Sequence, residues 1–399
     1  MLGWEFPPFN LGGLGTACFG LTKALNKKGL NVKFVLPTLP SQVSYPFVEL
    51  ISAEVPPFGK GISDNYGSYP ESEYNPEDEN ETKKGYKLYD KELFRQVEWY
   101  ARKVCKIAEK INFDVIHAHD WPTFKAAMAI KNKFGKPLVV HVHATEFDRT
   151  GGNGVNPHVY SIEKAGMEQA DKICAVSNYT KNLVKEKYGI DESKIVVVHN
   201  GVEQETKNQQ VNELIKEYNK IVLFLGRITL QKGPDYFIRA AKKVSEHFDN
   251  VKFVVAGSGD MEHYIIEESA RLGIADKIIF TGFLRGDDVD YIYKMADVYV
   301  MPSVSEPFGI SPLEAIKNNC PVIISKSSGV SEVINHCLKV DFWDIDQLAN
   351  KIISVLKYDA LGKEMVRNSS EEIRRISWDA AAEKCNNVYK TISRMGVKW

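Results

Sequence analysis

The chain has 399 residues, which at roughly 150 residues per domain points to two or three domains and excludes a single small fold. Apolar types make up 44% and charged types 26%, a globular balance that excludes a wholly disordered chain. Lys plus Arg number 51 against 52 for Asp plus Glu, a net charge of −1. No general attraction for nucleic acid or an anionic membrane follows, so any anion must be held locally.

The opening Met1-Leu2-Gly3-Trp4-Glu5-Phe6-Pro7-Pro8 lacks the basic and apolar regions of a signal peptide, and no apolar run reaches the ~18 residues of a membrane span. The expectation is a cytoplasmic protein without stable membrane insertion. Next comes Leu11-Gly12-Gly13-Leu14-Gly15 before a helical pattern from Ala17 to Lys27. Glycines there let backbone N–H groups approach a phosphate at the positive end of the helix. The following strand, Asn31–Leu36, ends without the acid that a dinucleotide site places about 20 residues on. NAD binding is therefore disfavoured.

Ile62 to Thr82 carries seven acids and no Lys or Arg and reads as a solvated surface insertion. A helix is expected over Leu93–Ile111, followed by short apolar strands at Asp114–Ala118, Pro137–His143, Lys172–Val176 and Lys194–Val198. Two of these end in histidines. His117 and His119 precede Asp120-Trp121, and period-two alternation puts His141 and His143 on one face. Such a pair can hydrogen-bond a sugar hydroxyl or serve a metal, but no third ligand is spaced to make a metal site, so none is assigned. The six cysteines (Cys18, Cys105, Cys174, Cys320, Cys337, Cys385) have no close spacing of the zinc or redox kind and read as buried thiols.

From Gly201 to about Tyr218 the pattern lapses into polar residues, which marks the domain boundary. Strands then recur at Lys220–Leu225, Val251–Ala256, Lys277–Thr281, Asp297–Met301 and Pro321–Ser325. Alternating strands and helices in both halves predict an α/β protein of two Rossmann-like, doubly wound parallel-sheet domains facing across a cleft. Ligands in such sheets bind beyond the carboxyl ends of strands.

Two loops at such ends carry chemistry. After the strand ending at Leu225, Arg227 and Lys232 precede Pro234, which opens a helix. Cations there oppose the helix dipole at ~0.3–1 kcal/mol each, a placement explained by a bound anion; Arg227 and Lys232 would suit a diphosphate. The second loop is Ser305-Glu306-Pro307-Phe308-Gly309-Ile310-Ser311-Pro312-Leu313-Glu314. Glu306 lies at the strand end, Gly309 and Ile310 offer backbone N–H groups, and Glu314 is either a ligand-binding acid or the partner of Ser311 in a capping box. Asp288 and Asp290 open a helix from Asp287 to Ala296, where they complement the dipole.

Gly12-Gly13-Leu14-Gly15, His119-Asp120-Trp121, Arg227 with Lys232, and Glu306 with Glu314 together resemble the retaining, nucleotide-sugar-dependent glycosyltransferases of the GT-B fold, glycogen and starch synthases above all. The resemblance implies transfer of a glucosyl unit from a nucleoside-diphosphate sugar, UDP- or ADP-glucose, to a glucan or other sugar acceptor, without a metal or cofactor. It implies that Gly12 and Gly13 approach the donor diphosphate and that Arg227 and Lys232 neutralise it. Gly309, Ile310 and Glu314 would bind the donor, Glu314 at the ribose. Glu306 would meet the transferred sugar, His143 the reacting carbon, and Asp120 the sugar and acceptor. Residues 1–200 would form the acceptor-side domain, 201–375 the donor-side domain, and 376–399 a helix crossing back to the first. Asn10 stands where bacterial glycogen synthases carry a lysine, which leaves the donor base open. Alternatives are a nucleotide-sugar epimerase or hydrolase on the same frame, a glycolipid or surface-polysaccharide transferase, and a carbohydrate-binding relic.

Overall fold

The structure is a computed structural model and describes residues 1–8, 12–39, 43–56, 91–203 and 218–395. The acidic 62–82 segment, Asn10, Leu11 and most of the polar 201–218 stretch lie outside the described residues. The chain groups into one unit of Met1–Phe147, Gly152–Gly201 and Trp378–Trp399, and a second of Asp148–Gly151 and Val202–Ser377.

In the first unit, β1 (Lys33–Leu36) pairs in parallel with β2 (Glu49–Ser52). A second parallel run follows the order β3 (Ile116–His119), β4 (Leu138–Val142), β5 (Lys172–Ala175) and β6 (Ile195–Val197). Residues 1–3 join the two runs. Leu2 bridges Val35 on one side and Ala118 on the other, its N–H donating to His117 O at 2.8 Å while His119 N–H donates to Leu2 O at 3.0 Å. The sheet thus reads β2-β1-(1–3)-β3-β4-β5-β6. Its connections carry α1 (Gly13–Lys27), α2 (Lys91–Ala108), α3 (Trp121–Phe134), α5 (Pro157–Gln169) and α6 (Asn178–Tyr188), while the short α4 (Glu146–Arg149) starts in this unit and ends among the Asp148–Gly151 residues grouped with the second. Because helices cover the sheet, β4 is buried along its whole length and reads as an unbroken apolar run with one histidine.

The second unit runs β7 (Lys220–Leu225), α7 (Pro234–Ser245), β8 (Val251–Ala256), α8 (Glu262–Arg271), β9 (Ile278–Gly282), α9 (Asp287–Met295), β10 (Val298–Met301), α10 (Ser311–Lys317), β11 (Val322–Ser325), β12 (Leu338–Val340), α11 (Ile345–Lys357) and α12 (Asp359–Ile373). Its six parallel strands lie in the order β12-β11-β10-β7-β8-β9, which counted within the unit is the Rossmann order 3-2-1-4-5-6 read from the other edge. Between β7 and β10 the chain changes the direction in which it adds strands. That switch leaves a crevice at their carboxyl ends.

The last helix, α13 (Trp378–Met395), packs on α1 in the first unit. Its buried face is Trp378, Ala381, Ala382, Cys385, Val388, Tyr389 and Ile392, a stripe at helical spacing. Gly20 of α1 meets the Trp378 ring so closely that an added Cβ would lie 2.3 Å from it. Lys28 and Glu383 close the contact with an ion pair at 2.5 Å.

Two strands escaped the sequence reading: β2 and β12 are too short to show a period, and β2 is half-exposed at a sheet edge. The 1–3 link is the shortened first strand that the resemblance implies at Met1–Trp4, here reduced to a bridge at Leu2. One reading is corrected. α10 begins at Ser311, with Ile310 in αR geometry at its cap and no side-chain cap bond, so Ser311 and Glu314 do not form a capping box. The αR backbone of Ile310 continues the helix backwards, which moves Ser311 out of the cap position.

Candidate functional site

In the second unit, the loops leaving β7 and β10 meet at the switch point. β7 leads into Gly226 and Arg227, a 3₁₀ turn at Leu230–Lys232, and Gly233 at φ +66°, after which Pro234 opens α7. Gly233 is required twice over, since a Cβ would sit 2.3 Å from Pro302 O of the β10 loop. Val304 N–H then donates to Gln231 O at 2.9 Å, locking one loop onto the other.

This contact brings Lys232 to Glu306. Their side chains form an ion pair with the ammonium 22% and the carboxylate 8% exposed. Ser303 Oγ also donates to Glu306 Oε2 at 3.3 Å. The Glu306 backbone is fixed by its N–H to Ser327 O and by Gly329 N–H to its own carbonyl, each 2.9 Å. Glu306 is therefore a pinned, buried acid rather than a solvent-facing loop residue. Arg227, half-buried on the same loop, donates from Nη2 to Gln231 Oε1 at 3.4 Å. With Lys232 neutralised by Glu306, Arg227 leaves the trio with one net positive charge.

Glu314 sits in the first turn of α10. Tyr293 OH donates to its Oε2 at 3.4 Å, and the Tyr293 ring packs edge-on against Tyr299 at 5.6 Å. Burial raises the Glu314 carboxyl above its ordinary pKa. Gly309, at φ +96°, lies against Glu306, whose Cγ would be 3.2 Å from an added Cβ; Ile310 follows it at the cap of α10. Asp290 accepts from Asn318 Nδ2 at 2.8 Å and pairs with Lys317 at 3.6 Å, which ties α9 to α10 beyond the dipole role read from sequence.

In the first unit, Gly12 is the extended cap of α1 and supplies no capping side chain, and Gly13 begins the helix exposed. Asp120 follows β3 directly, at φ 59° and nearly fully buried. Its Oδ1 accepts from His143 N at 2.7 Å and Ala144 N at 3.3 Å. A non-glycine residue held at positive φ marks a position over-determined by its surroundings. His117, His119, His141 and His143 stack, with neighbouring ring centroids 4.3–5.3 Å apart. Burial lowers all four imidazole pKa values, that of His143 to about 3. His143 is thus neutral near pH 7, its Nε2 hydrogen-bonded with His119 Nδ1 at 2.9 Å.

Arg227, Lys232, Glu306, Gly309, Ile310 and Glu314 accordingly gather in the second unit, and Gly12, Gly13, Asp120 and His143 belong to the first. The sequence reading missed Gly257 and Gly259 after β8. A Cβ on Gly257 would lie 1.9 Å from Gly226 O, so this loop is what lets the β7 loop turn; Gly-Ser-Gly after an apolar strand was the available signal. Tyr293 and Ser303 had no local signal. A cavity of about 570 Å³ opens at the opposite, amino ends of β1 and β3, lined by Met1, Lys33 and Asp114 among others. It holds none of the site residues, and topology favours the carboxyl ends for ligand chemistry.

Residues 203–372 match the family described as glycosyl transferases group 1, and residues 11–206 match glycosyltransferase family 4. An uncharacterized glycosyltransferase of Methanocaldococcus jannaschii is 30% identical, covering 99% of this chain and 98% of its own. The glycogen synthase of Mycobacterium tuberculosis is 25% identical over 99% of this chain and 94% of its own. Among solved structures, sucrose-phosphate synthase from Thermosynechococcus elongatus superposes with a TM-score of 0.77 at 20% identity, covering 96% and 94% of the two chains. Anabaena HepE in complex with UDP and glucose gives 0.72 at 16%, covering 98% and 99%.

Proposed function

This chain belongs to the GT-B glycosyltransferases, and from that premise we propose that it moves a glucosyl unit from UDP- or ADP-glucose to a sugar hydroxyl with retention, as an α-1,4-glucan synthase does. One observation carries the reading: Arg227, Lys232, Glu306, Gly309 and Glu314 converge where β7 and β10 end, at the switch point of a Rossmann sheet. The glycogen synthase relative and the UDP and glucose bound to HepE are in keeping with it.

In this reading the second unit holds the donor. Glu314, desolvated and steadied by Tyr293, accepts from the ribose hydroxyls. Arg227 grips the diphosphate, and Lys232 spans from Glu306 to a phosphate oxygen. The C1–O bond to the diphosphate breaks while the acceptor oxygen bonds to C1 from the same face, and the acceptor proton passes to the departing diphosphate. Negative charge grows on that group, so cations aimed at it stabilise the transition state more than the ground state. On this reading that compensation needs no metal. The first unit takes the acceptor side. The roles proposed for its residues are phosphate binding for Gly12 and Gly13 at the α1 N-terminus, sugar and acceptor binding for Asp120, and a neutral hydrogen-bonding partner of the transferred sugar for His143. On this reading residues 1–200 would serve the acceptor and 201–375 the donor, with Asp148–Gly151 grouped in the second unit and the last helix built into the first.

The test is turnover of ADP-, UDP- and GDP-glucose with and without glucan primer, the product linkage read by NMR. Acceptor-dependent nucleotide release giving an α-linkage is expected. Release at equal rate without acceptor would instead favour a hydrolase or epimerase. Thermal shift ranks the donors beforehand, since a ligand at 100 times its Kd stabilises by about 2.7 kcal/mol.

A further inference from the structure

One cluster of the first unit has no part in this chemistry. His141 on β4 and Cys174 on β5 are register partners, so their side chains leave the same sheet face, and Cys385 of α13 comes down upon it. The donor atoms of these three side chains lie within 4.8 Å of one another, and all three residues are buried. His141 Nδ1 is engaged by His117 Nε2 at 3.2 Å. Its Nε2 is buried with no hydrogen-bond partner among the described residues. Buried ring nitrogens ordinarily find a partner, and each exception calls for a physical reason.

We infer that His141 Nε2, Cys174 Sγ and Cys385 Sγ bind a zinc ion. Two thiolates and a neutral imidazole around a dication make a neutral assembly, which is what a dry interior tolerates. Binding displaces two thiol protons to solvent, so charge and atoms balance. Zinc takes sulfur at about 2.3 Å and imidazole nitrogen at about 2.0–2.1 Å, and a tetrahedron of those bonds sets donors about 3.5–3.8 Å apart. The separations here, all within 4.8 Å, lie near that range. Three protein ligands leave the fourth position to a non-protein donor. A relay orients the imidazole: His141 Nδ1–H donates to His117 Nε2, and His117 Nδ1–H donates to Tyr389 OH, 2.5 Å away. The neighbouring trio His117, His119 and His141 also clusters. It is the poorer site, because both His117 nitrogens are already engaged and three neutral rings leave a buried dication uncompensated. Zinc on the Cys₂His set would pin α13 to β4 and β5.

The full chain, dialysed against micromolar zinc and then freed of excess, is expected to keep one zinc per chain. Its cobalt form is expected to show thiolate-to-cobalt charge-transfer absorption. Both are lost in Cys174→Ser and Cys385→Ser and kept in Cys105→Ser. Chelation lowers Tm by about 5–10 °C. Wild-type chain that retains no zinc and shows no cobalt–thiolate band overturns the inference, as does a band that survives both substitutions. If a cysteine variant does not fold, the wild-type spectrum decides, because that band requires sulfur bonded to the metal.

Discussion

The proposed function gives Lys232 two jobs, and Lys232→Ala separates them. Structurally, it strands Glu306, whose side chain is only 8% exposed, without its counter-ion, while Lys232 itself is 22% exposed. Removing one partner of a fully buried pair costs about 3–5 kcal/mol, and an exposed pair is worth about 0.2–1. This asymmetric pair lies between, and we expect a loss of about 2–3 kcal/mol in the second unit. Adding Glu306→Gln removes the stranded charge and should restore most of that stability. Functionally, kcat/KM of Lys232→Ala should fall by about 10²–10³, the toll of losing one transition-state charge partner. Nucleoside diphosphate should bind more weakly to Lys232→Ala, yet no more weakly to Glu306→Gln, which frees the ammonium for phosphate. Urea unfolding gives the first comparison; calorimetric titration and initial rates give the second. Lys232→Ala with unchanged diphosphate affinity and near-normal turnover would refute the reasoning.

Glu314→Gln should raise stability at neutral pH while weakening donor binding. Burial holds the folded carboxyl pKa above its unfolded value, so the ionised group costs stability above that folded pKa. The advantage of the amide should shrink as pH falls toward the unfolded value of about 4.3, checked by melts across that range. Asp120→Ala leaves the His143 and Ala144 N–H groups without their acceptor and keeps a side chain at φ 59°; a loss of about 2–4 kcal/mol is expected. Asp120→Asn, which retains an accepting oxygen, should stay near wild-type stability, and equal melts for the two variants would contradict this. Gly20→Ala sets a Cβ 2.3–2.5 Å from the Trp378 ring. Overpacking of about 1–3 kcal/mol exceeds the helix-propensity gain of about 0.8–1; Trp378→Leu should relieve it, which a double-mutant cycle on α13 docking would detect.

Much of this protein was legible along the chain because its information there is local. Parallel strands covered on both faces must be apolar throughout, so runs such as Lys220–Leu225 and Val251–Ala256 announced themselves to the residue. The loops after such strands were visible for the same reason: Arg227, Lys232, Glu306 and Glu314 stand at set offsets from strand ends, and Pro234 opens its helix where Pro fits best. Tertiary packing decided what depends on partners distant in sequence. Only the folded sheet places β10 beside β7, so only there does Lys232 meet Glu306 and lose its free charge. Tyr293 reaches Glu314, and the 1–3 segment joins two half-sheets, through contacts that have no period to read. Cys174 and Cys385 look like unrelated buried thiols until α13 lays one over the other beside His141. Sequence spacing records neighbours along the backbone, whereas electrostatics and ligation answer to distance in space.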